Sequence, residues 1–135
     1  MSSRKTPHIL FLCVHNAGRS QMAAAFARTL AATRAVIDSA GSDPSDTLNP
    51  AVMAAMKEVG IDISNELPTK LSDQVGRDAD VIVTMGCGDA CPVYPGKRYV
   101  DWELDDPRGK DLIAVRGIRD EIRDRVAALL DELLN

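Results

Sequence analysis

Apolar positions along this chain alternate between short unbroken runs and longer stretches with helical spacing. Ile9 to Leu12 is an apolar run bounded by polar punctuation, which predicts a buried strand. Gln21 to Ala32 follows with Met22, Ala23, Phe26, Ala27 and Leu30 on one side of a predicted helix. Val36-Ile37 predicts a short strand, closed by Ser39-Ala40-Gly41. Asn49-Pro50 places a capping residue before a proline at the first helical position, so a second helix runs from there to about Val59 and stops at Gly60. Ser72 to Arg77 has room for one helical turn. Asp80 to Met85 is the clearest strand, β-branched and apolar, and Arg98-Tyr99-Val100 predicts a fourth. Asp111 to Leu134 is a long helix with Ile118, Ile122, Val126, Leu129, Leu130 and Leu133 at helical spacing. Strands that alternate with helices in this way imply right-handed crossovers and an α/β fold. Its parallel sheet is expected to carry helices on both faces.

No repeat, low-complexity tract or linker interrupts this order, and 135 residues suit one domain with one core, spanning 1–135. The chain is 45% hydrophobic and 27% charged, ordinary for a globular protein. A net charge of −4 without a basic stretch argues against nucleic acid as a partner. Met1 to Pro7 is polar and basic, and the apolar run behind it is too short for a signal-peptide core or a membrane span. The protein is therefore expected in the cytoplasm and away from the membrane. Its three cysteines should be reduced there at rest, which favours catalytic or redox roles over structural cross-links.

The chemistry concentrates in Cys13-Val14-His15-Asn16-Ala17-Gly18-Arg19-Ser20. This stretch lies where the first strand hands over to a helix N-terminus. Unpaired backbone N–H groups and the helix dipole favour an anion at that point. Arg19 adds a fork of donors matched to a tetrahedral oxyanion. The same positive surroundings favour a thiolate at Cys13, so one loop supplies an oxyanion cradle and a sulfur nucleophile inside it. The plainer alternative is a buried, inert strand-end cysteine followed by an ordinary turn. The strand before and the helix after favour the first reading.

Cys87 and Cys91 lie just past the Asp80–Met85 strand, in Met85-Gly86-Cys87-Gly88-Asp89-Ala90-Cys91-Pro92. Ligands in parallel α/β folds bind at the carboxyl ends of the strands, which brings this segment beside Cys13. A disulfide needs Cα atoms roughly 4.4–6.8 Å apart. Four extended residues span about 13 Å. The pair can bond only if the segment coils, and Gly86 and Gly88 make that easy. A flexible redox segment is one reading; two inert buried cysteines or half of a zinc site are the others. Zinc takes about four ligands. Only His8 and His15 remain to complete a set, and the usual paired spacing is absent, so neither a metal nor a cofactor is expected. Asp105-Asp106-Pro107 completes the constellation. Oxyanion transfer to a thiolate needs a proton donor for the departing oxygen. A carboxyl beside another carboxyl, partly buried, can hold that proton. The proline restricts Asp106 to extended conformations and fixes its aim. An acidic turn ahead of a helix is the alternative.

These residues resemble the low-molecular-weight protein tyrosine phosphatase superfamily and, within it, the thioredoxin-coupled arsenate reductases. The resemblance covers nearly the whole chain. It is carried by the Cys13–Ser20 loop, Asp38-Ser39-Ala40-Gly41, Leu48-Asn49-Pro50, Met56 to Ser64, Cys87-Gly88-Asp89-Ala90 with Cys91-Pro92, and Trp102 with Asp105-Asp106-Pro107. It implies a four-stranded parallel sheet flanked by helices. It implies Cys13 as nucleophile, and an oxyanion held by Arg19 and the loop formed by Val14, His15, Asn16, Ala17, Gly18 and Ser20. It further implies Asn16 bracing the loop, Ser20 bonding the thiolate, Asp106 as general acid, and Cys87 and Cys91 as the pair that carries a disulfide outward. The chain departs from its relatives in the loop interior, where His15 and Ala17-Gly18 replace Gly and Ser-Cys. Ala24 replaces a glutamate that helps some relatives hold potassium, so that site is not carried over. Cys87 and Cys91 are also closer together than in several relatives.

The expected function is reduction of arsenate, with thioredoxin, glutaredoxin or a small thiol as electron donor. A phosphotyrosine phosphatase would share Cys13, Arg19 and Asp106, but it would have no use for Cys87 and Cys91. Arg108 and Gly109 also stand where such phosphatases carry ring-gripping aromatics. A non-catalytic oxyanion-binding or redox-sensing module is the third reading, and Asp106 argues against it.

Overall fold

The computed structural model describes residues 6–86 and 93–134. Four strands form one sheet: β1 (His8–Cys13), β2 (Val36–Gly41), β3 (Val81–Thr84) and β4 (Arg98–Asp101). Their spatial order is β2-β1-β3-β4, and every neighbouring pair is parallel. The register runs from His8↔Val36 to Cys13↔Gly41 on one side of β1 and from Ile9↔Val81 to Leu12↔Thr84 on the other. The four helices are α1 (Arg19–Ala31), α2 (Pro50–Glu58), α3 (Asp73–Asp78) and α4 (Leu112–Leu134). The expected four-stranded parallel α/β architecture is the one observed.

Strand alternation sorts the central strand between two cores. Ile9, Phe11 and Cys13 join Ile37, Val81 and Val83 in the larger one, against α1, α2 and α4. Phe11 meets Trp102 there with ring centroids 6.0 Å apart. Leu10 and Leu12 point the other way, with Ala40 and Ile82, towards Ala79, Tyr94 and the partly buried Leu71 and Val75. Helices do cover both faces, but three lie on one and only the short α3 on the other.

Local signals explain most boundaries. The Asn49 side chain accepts from the N–H groups of Ala51 and Val52, and Pro50 follows as the first residue of α2. Gly60 ends that helix with φ +82, a conformation costly for any residue with a Cβ. Some features of β2 and α1 differ from expectation. β2 extends to Gly41, because edge pairing with β1 continues through Asp38 and Ser39 despite their polarity. α1 begins at Arg19 rather than Gln21, and Leu30 is 44% exposed rather than part of its buried face. The burial of α1 is concentrated in its first turns, where small residues such as Ala23, Ala24 and Ala27 allow close approach to the sheet and to α4.

α2 and α4 are tied by Glu58. Its carboxylate meets Arg116 at 2.6 Å and Arg119 at 2.9 Å, and Arg119 also donates to the Ala55 carbonyl. The Arg116 hydrogen bond, helped by Arg119, holds the Glu58 carboxyl down at about 2. Among the described residues no helix is long and apolar enough to cross a membrane.

Candidate active site

Cys13 is the last residue of β1, and the chain reaches the first residue of α1 through Val14 to Gly18. Every carbonyl from Cys13 to Gly18 accepts a hydrogen bond. Ser42, Asp43, Ser45 and Asn49 donate their N–H groups to Cys13, Val14, His15 and Ala17 respectively. The Gln21 amide donates to the Asn16 carbonyl, and Met22 N–H to that of Gly18. With its carbonyls turned to this surrounding segment, the loop presents N–H groups to its centre, the arrangement of an anion nest. The start of α1 adds to it. No side chain caps this helix and its first turn holds no acidic residue, so the leading N–H groups and the positive dipole end stay available to a ligand.

Asn16 holds the loop in shape. Its φ is +50, a left-handed conformation that asparagine tolerates better than most residues. Fully buried, its side chain donates to Ser20 Oγ at 2.6 Å and accepts from Thr69 N–H at 2.8 Å and Gln21 Nε2 at 3.1 Å. The donation from Asn16 occupies an Oγ lone pair of Ser20 and leaves its hydroxyl proton free to point at Cys13 Sγ, 2.8 Å away. Asn16 N–H also points at that sulfur, at 3.3 Å. Two donors thus converge on the Cys13 sulfur. Gly41, at the end of β2, permits this packing, since a Cβ there would lie 2.5 Å from the Val14 carbonyl oxygen.

Arg19 projects from the first turn of α1 and is buried. It donates to the Leu104 carbonyl at 3.4 Å and faces Asp106 Oδ2 at 3.5 Å. Gly86, with φ +84, lies against it: a Cβ there would sit 2.5 Å from Nη1. Asp106 itself is half-exposed. Its recorded partners are donors, Arg19 and the Arg108 N–H at 3.0 Å, rather than the neighbouring carboxyl of Asp105. The carboxyl pairing expected from the sequence is thus replaced by contacts to Arg19 and to the Arg108 N–H. Pro107 is buried and seated on Gly18, where a Cβ would come within 2.7 Å of the ring. Asn49 Nδ2 reaches the Pro107 carbonyl at 3.5 Å.

Cys13, His15, Arg19, Asp106 and Arg108 line one cleft of about 340 Å³, with Ser45 to Pro50 on its other wall. The structure therefore brings Cys13, Arg19, Ser20 and Asp106 together as expected. Cys87 and Cys91 lie outside the described residues. Sequence reasoning missed Gln21, Thr69 and the 42–49 segment as supports of the loop. Thr69 is 53 positions from Asn16, and no local pattern marks it. Gln21 was marked only as the start of the first predicted helix, and no local pattern pointed to its contacts with Asn16.

Comparison with known proteins agrees with this geometry. Residues 8–135 match the family model of the low molecular weight phosphotyrosine protein phosphatases. The chain is 39% identical to a putative arsenate reductase of Halobacterium salinarum, over 98% of this chain and 96% of that protein. It is 35% identical to a glutaredoxin arsenate reductase of Synechocystis, over 93% and 97% respectively. The structure of a thioredoxin-dependent arsenate reductase from Corynebacterium glutamicum superimposes with a TM-score of 0.82 at 41% identity. That match covers 97% of this chain but 63% of the other.

Proposed function

The chain belongs to the low molecular weight phosphotyrosine protein phosphatase family, and within it we propose that this protein reduces arsenate to arsenite, as a single domain over 1–135. One observation carries the choice between oxyanion reduction and ester hydrolysis. Among the described residues the cleft above Cys13 has no Phe, Tyr or Trp in its lining, and Arg108 follows the Asp-Pro pair. A phosphotyrosine ring would find no such side chain to grip it there, whereas a small inorganic oxyanion needs only the floor. The names of the two relatives above support the same choice.

In this reading the oxyanion sits in the loop from Val14 to Ser20 and takes up Arg19. Its arrival draws Arg19 from Asp106, which leaves that carboxyl facing the bound oxyanion. The Cys13 thiolate attacks arsenic, and Asp106 delivers its proton to the departing oxygen, which leaves as water. The Cys87 thiolate then attacks Cys13 Sγ. The sulfur–arsenic bond breaks, its electron pair reduces arsenic(V) to arsenic(III), and a Cys13–Cys87 disulfide forms. Cys91 attacks Cys87 and frees Cys13. A thioredoxin-like protein or another thiol reductant, in the cytoplasm, reduces the Cys87–Cys91 disulfide. A thiol-coupled donor is supported by the glutaredoxin and thioredoxin named for two relatives.

The test is to incubate the protein with arsenate and, in turn, thioredoxin, glutaredoxin and a small thiol, beside para-nitrophenyl phosphate. Arsenite formation, with a Cys13–Cys87 disulfide trapped in Cys91→Ser, is the expected result. Rapid ester hydrolysis without arsenite from any donor would make this a phosphatase. Oxyanion binding without either reaction would make it a binding module.

A further inference from the structure

His15 and Arg108 stand 93 positions apart in sequence, one in the nucleophile loop and the other in the loop that carries Asp106. Arg108 Nη1 lies 3.1 Å from His15 Nε2. The other ring nitrogen, Nδ1, lies 3.1 Å from the Asp43 carbonyl oxygen. A carbonyl can only accept, so Nδ1 carries the proton and Nε2 is left as a bare acceptor for the guanidinium. The Asp43 backbone is itself anchored, since its N–H donates to the Val14 carbonyl at 2.9 Å. The chain of contacts therefore runs from the nucleophile loop through Asp43 to His15, and from His15 to Arg108. It ends on the proton donor, because the Arg108 N–H donates to Asp106 Oδ1 at 3.0 Å.

We propose that the His15–Arg108 hydrogen bond is a latch that positions Asp106 over Cys13, which makes both members positioning residues for the proton transfer. The proposal rests on Asp106 serving as the acid of the reaction above. The other supports of the Asp106 loop are modest. Pro107 sits on Gly18, the Asn49–Pro107 contact is long at 3.5 Å, and Asp106 is 49% exposed. Besides the Arg19 contacts to the Leu104 carbonyl at 3.4 Å and to Asp106 at 3.5 Å, the latch is the side-chain hydrogen bond that ties this loop to the nucleophile loop among the described residues.

A single exposed hydrogen bond is worth roughly 3- to 10-fold in an equilibrium. His15→Ala and Arg108→Ala are each expected to lower the saturating single-turnover rate of arsenite formation about 3- to 10-fold, with half-saturating arsenate changed less than twofold. The double variant should be no slower than the worse single. His15→Gln, whose amide oxygen can accept from Arg108, should recover the rate to within about twofold. In an Asp106→Asn background His15→Ala should change nothing further. Additive losses, an effect on half-saturation, no rescue by glutamine, or an undiminished effect in the Asp106→Asn background would each overturn the latch. If the parent protein forms no arsenite, the functional reading fails separately. The same cycle is then measured on para-nitrophenyl phosphate, whose leaving oxygen needs the same proton, and the latch stands or falls there by the same outcomes.

Discussion

Replacing Asn16 with alanine should destabilise this protein more than any other change in the nucleophile loop that leaves Cys13 intact. The side chain is fully buried and makes three hydrogen bonds, to Ser20, Thr69 and Gln21. Their losses are unequal. Gln21 Nε2 keeps the Asn16 and Leu67 carbonyls, and Ser20 keeps Cys13. The Thr69 N–H loses its acceptor and is left part-buried, at a cost of about 1–3 kcal/mol. The other two bonds are worth about 1 kcal/mol each. Alanine also tolerates the left-handed backbone at φ +50 worse than asparagine, by about 1 kcal/mol. Allowing for partial compensation, the expected loss is about 3–5 kcal/mol, a large part of the 5–15 kcal/mol typical of a whole domain. Asn16→Gly removes the same bonds without the backbone penalty and should be about 1 kcal/mol more stable than the alanine variant. The assay is urea denaturation of the reduced protein, followed by the single tryptophan, Trp102, which packs on Phe11. The variants that fold should also alkylate more slowly at Cys13, read by peptide mass, because Ser20 loses the bond that aims its proton at the sulfur. A loss below about 1 kcal/mol, or a glycine variant no better than alanine, would refute this account of the loop.

Asp106→Asn should lower the saturating turnover rate by about 10²–10⁴ while leaving oxyanion half-saturation nearly unchanged. If Asp105→Asn proves the more damaging, the acid has been assigned to the wrong aspartate. Gly86→Ala forces a left-handed backbone and a Cβ against Arg19, so weaker binding of arsenate and phosphate, by at least about 10-fold, is expected in titrations; unchanged binding would remove Arg19 from the cradle. For Glu58, the folded carboxyl is held at about 2, below its ordinary value near 4.5, so its ion pairs stabilise the fold at neutral pH and that contribution fades as the pH falls. The stability gap between the parent and Glu58→Gln should therefore be largest at neutral pH and shrink as the pH falls from about 4.5 to about 2. Because the groups are partly exposed it should also shrink in high salt, and a gap that grows on acidification would contradict the pairing.

The elements most legible in the sequence were those whose signals are local. Asn49, Pro50 and Gly60 bracket α2 by capping, fixed φ and a left-handed stop, and each acts within its own turn. The Cys13–Ser20 loop was legible because a strand before and a helix after leave one place for it. β2 was under-read because an edge strand is held by its ladder, which is indifferent to the polarity of Asp38 and Ser39. His8 reinforces that pairing through a 2.6 Å contact to Asp38, invisible to any count of apolar residues. The start of α1 was missed for a functional reason. No side chain caps α1, as the proposed anion cradle requires, so the usual marker is absent. The supports of the site, Thr69 to Asn16 and Arg108 to His15, join residues 53 and 93 positions apart and follow only from the fold.

The two halves of the site are anchored in different ways, and that difference bears on how the reaction can proceed. The nucleophile loop is held by buried groups, with Asn16, Ser20 and Gln21 all at 2% exposure or less and its carbonyls bonded to a neighbouring segment. Opening it would expose several unpaired polar groups at once, so its geometry should persist through the cycle. Apart from Pro107 on Gly18, the acid loop is held by few contacts, most of them long or partly exposed. Local opening is cheapest where contacts are few and solvent-exposed. Movement in the cycle should therefore fall on the Asp106 side, with the cradle as the fixed partner. In the proposed cycle Cys13 sulfur is reached twice, first by the oxyanion and later by a second thiol. A rigid cradle with a loosely latched acid loop permits both without rebuilding the nucleophile's surroundings. Amide hydrogen exchange is the direct check: protection should be high from residue 13 to residue 22 and low from residue 104 to residue 110, and the reverse order would contradict this division.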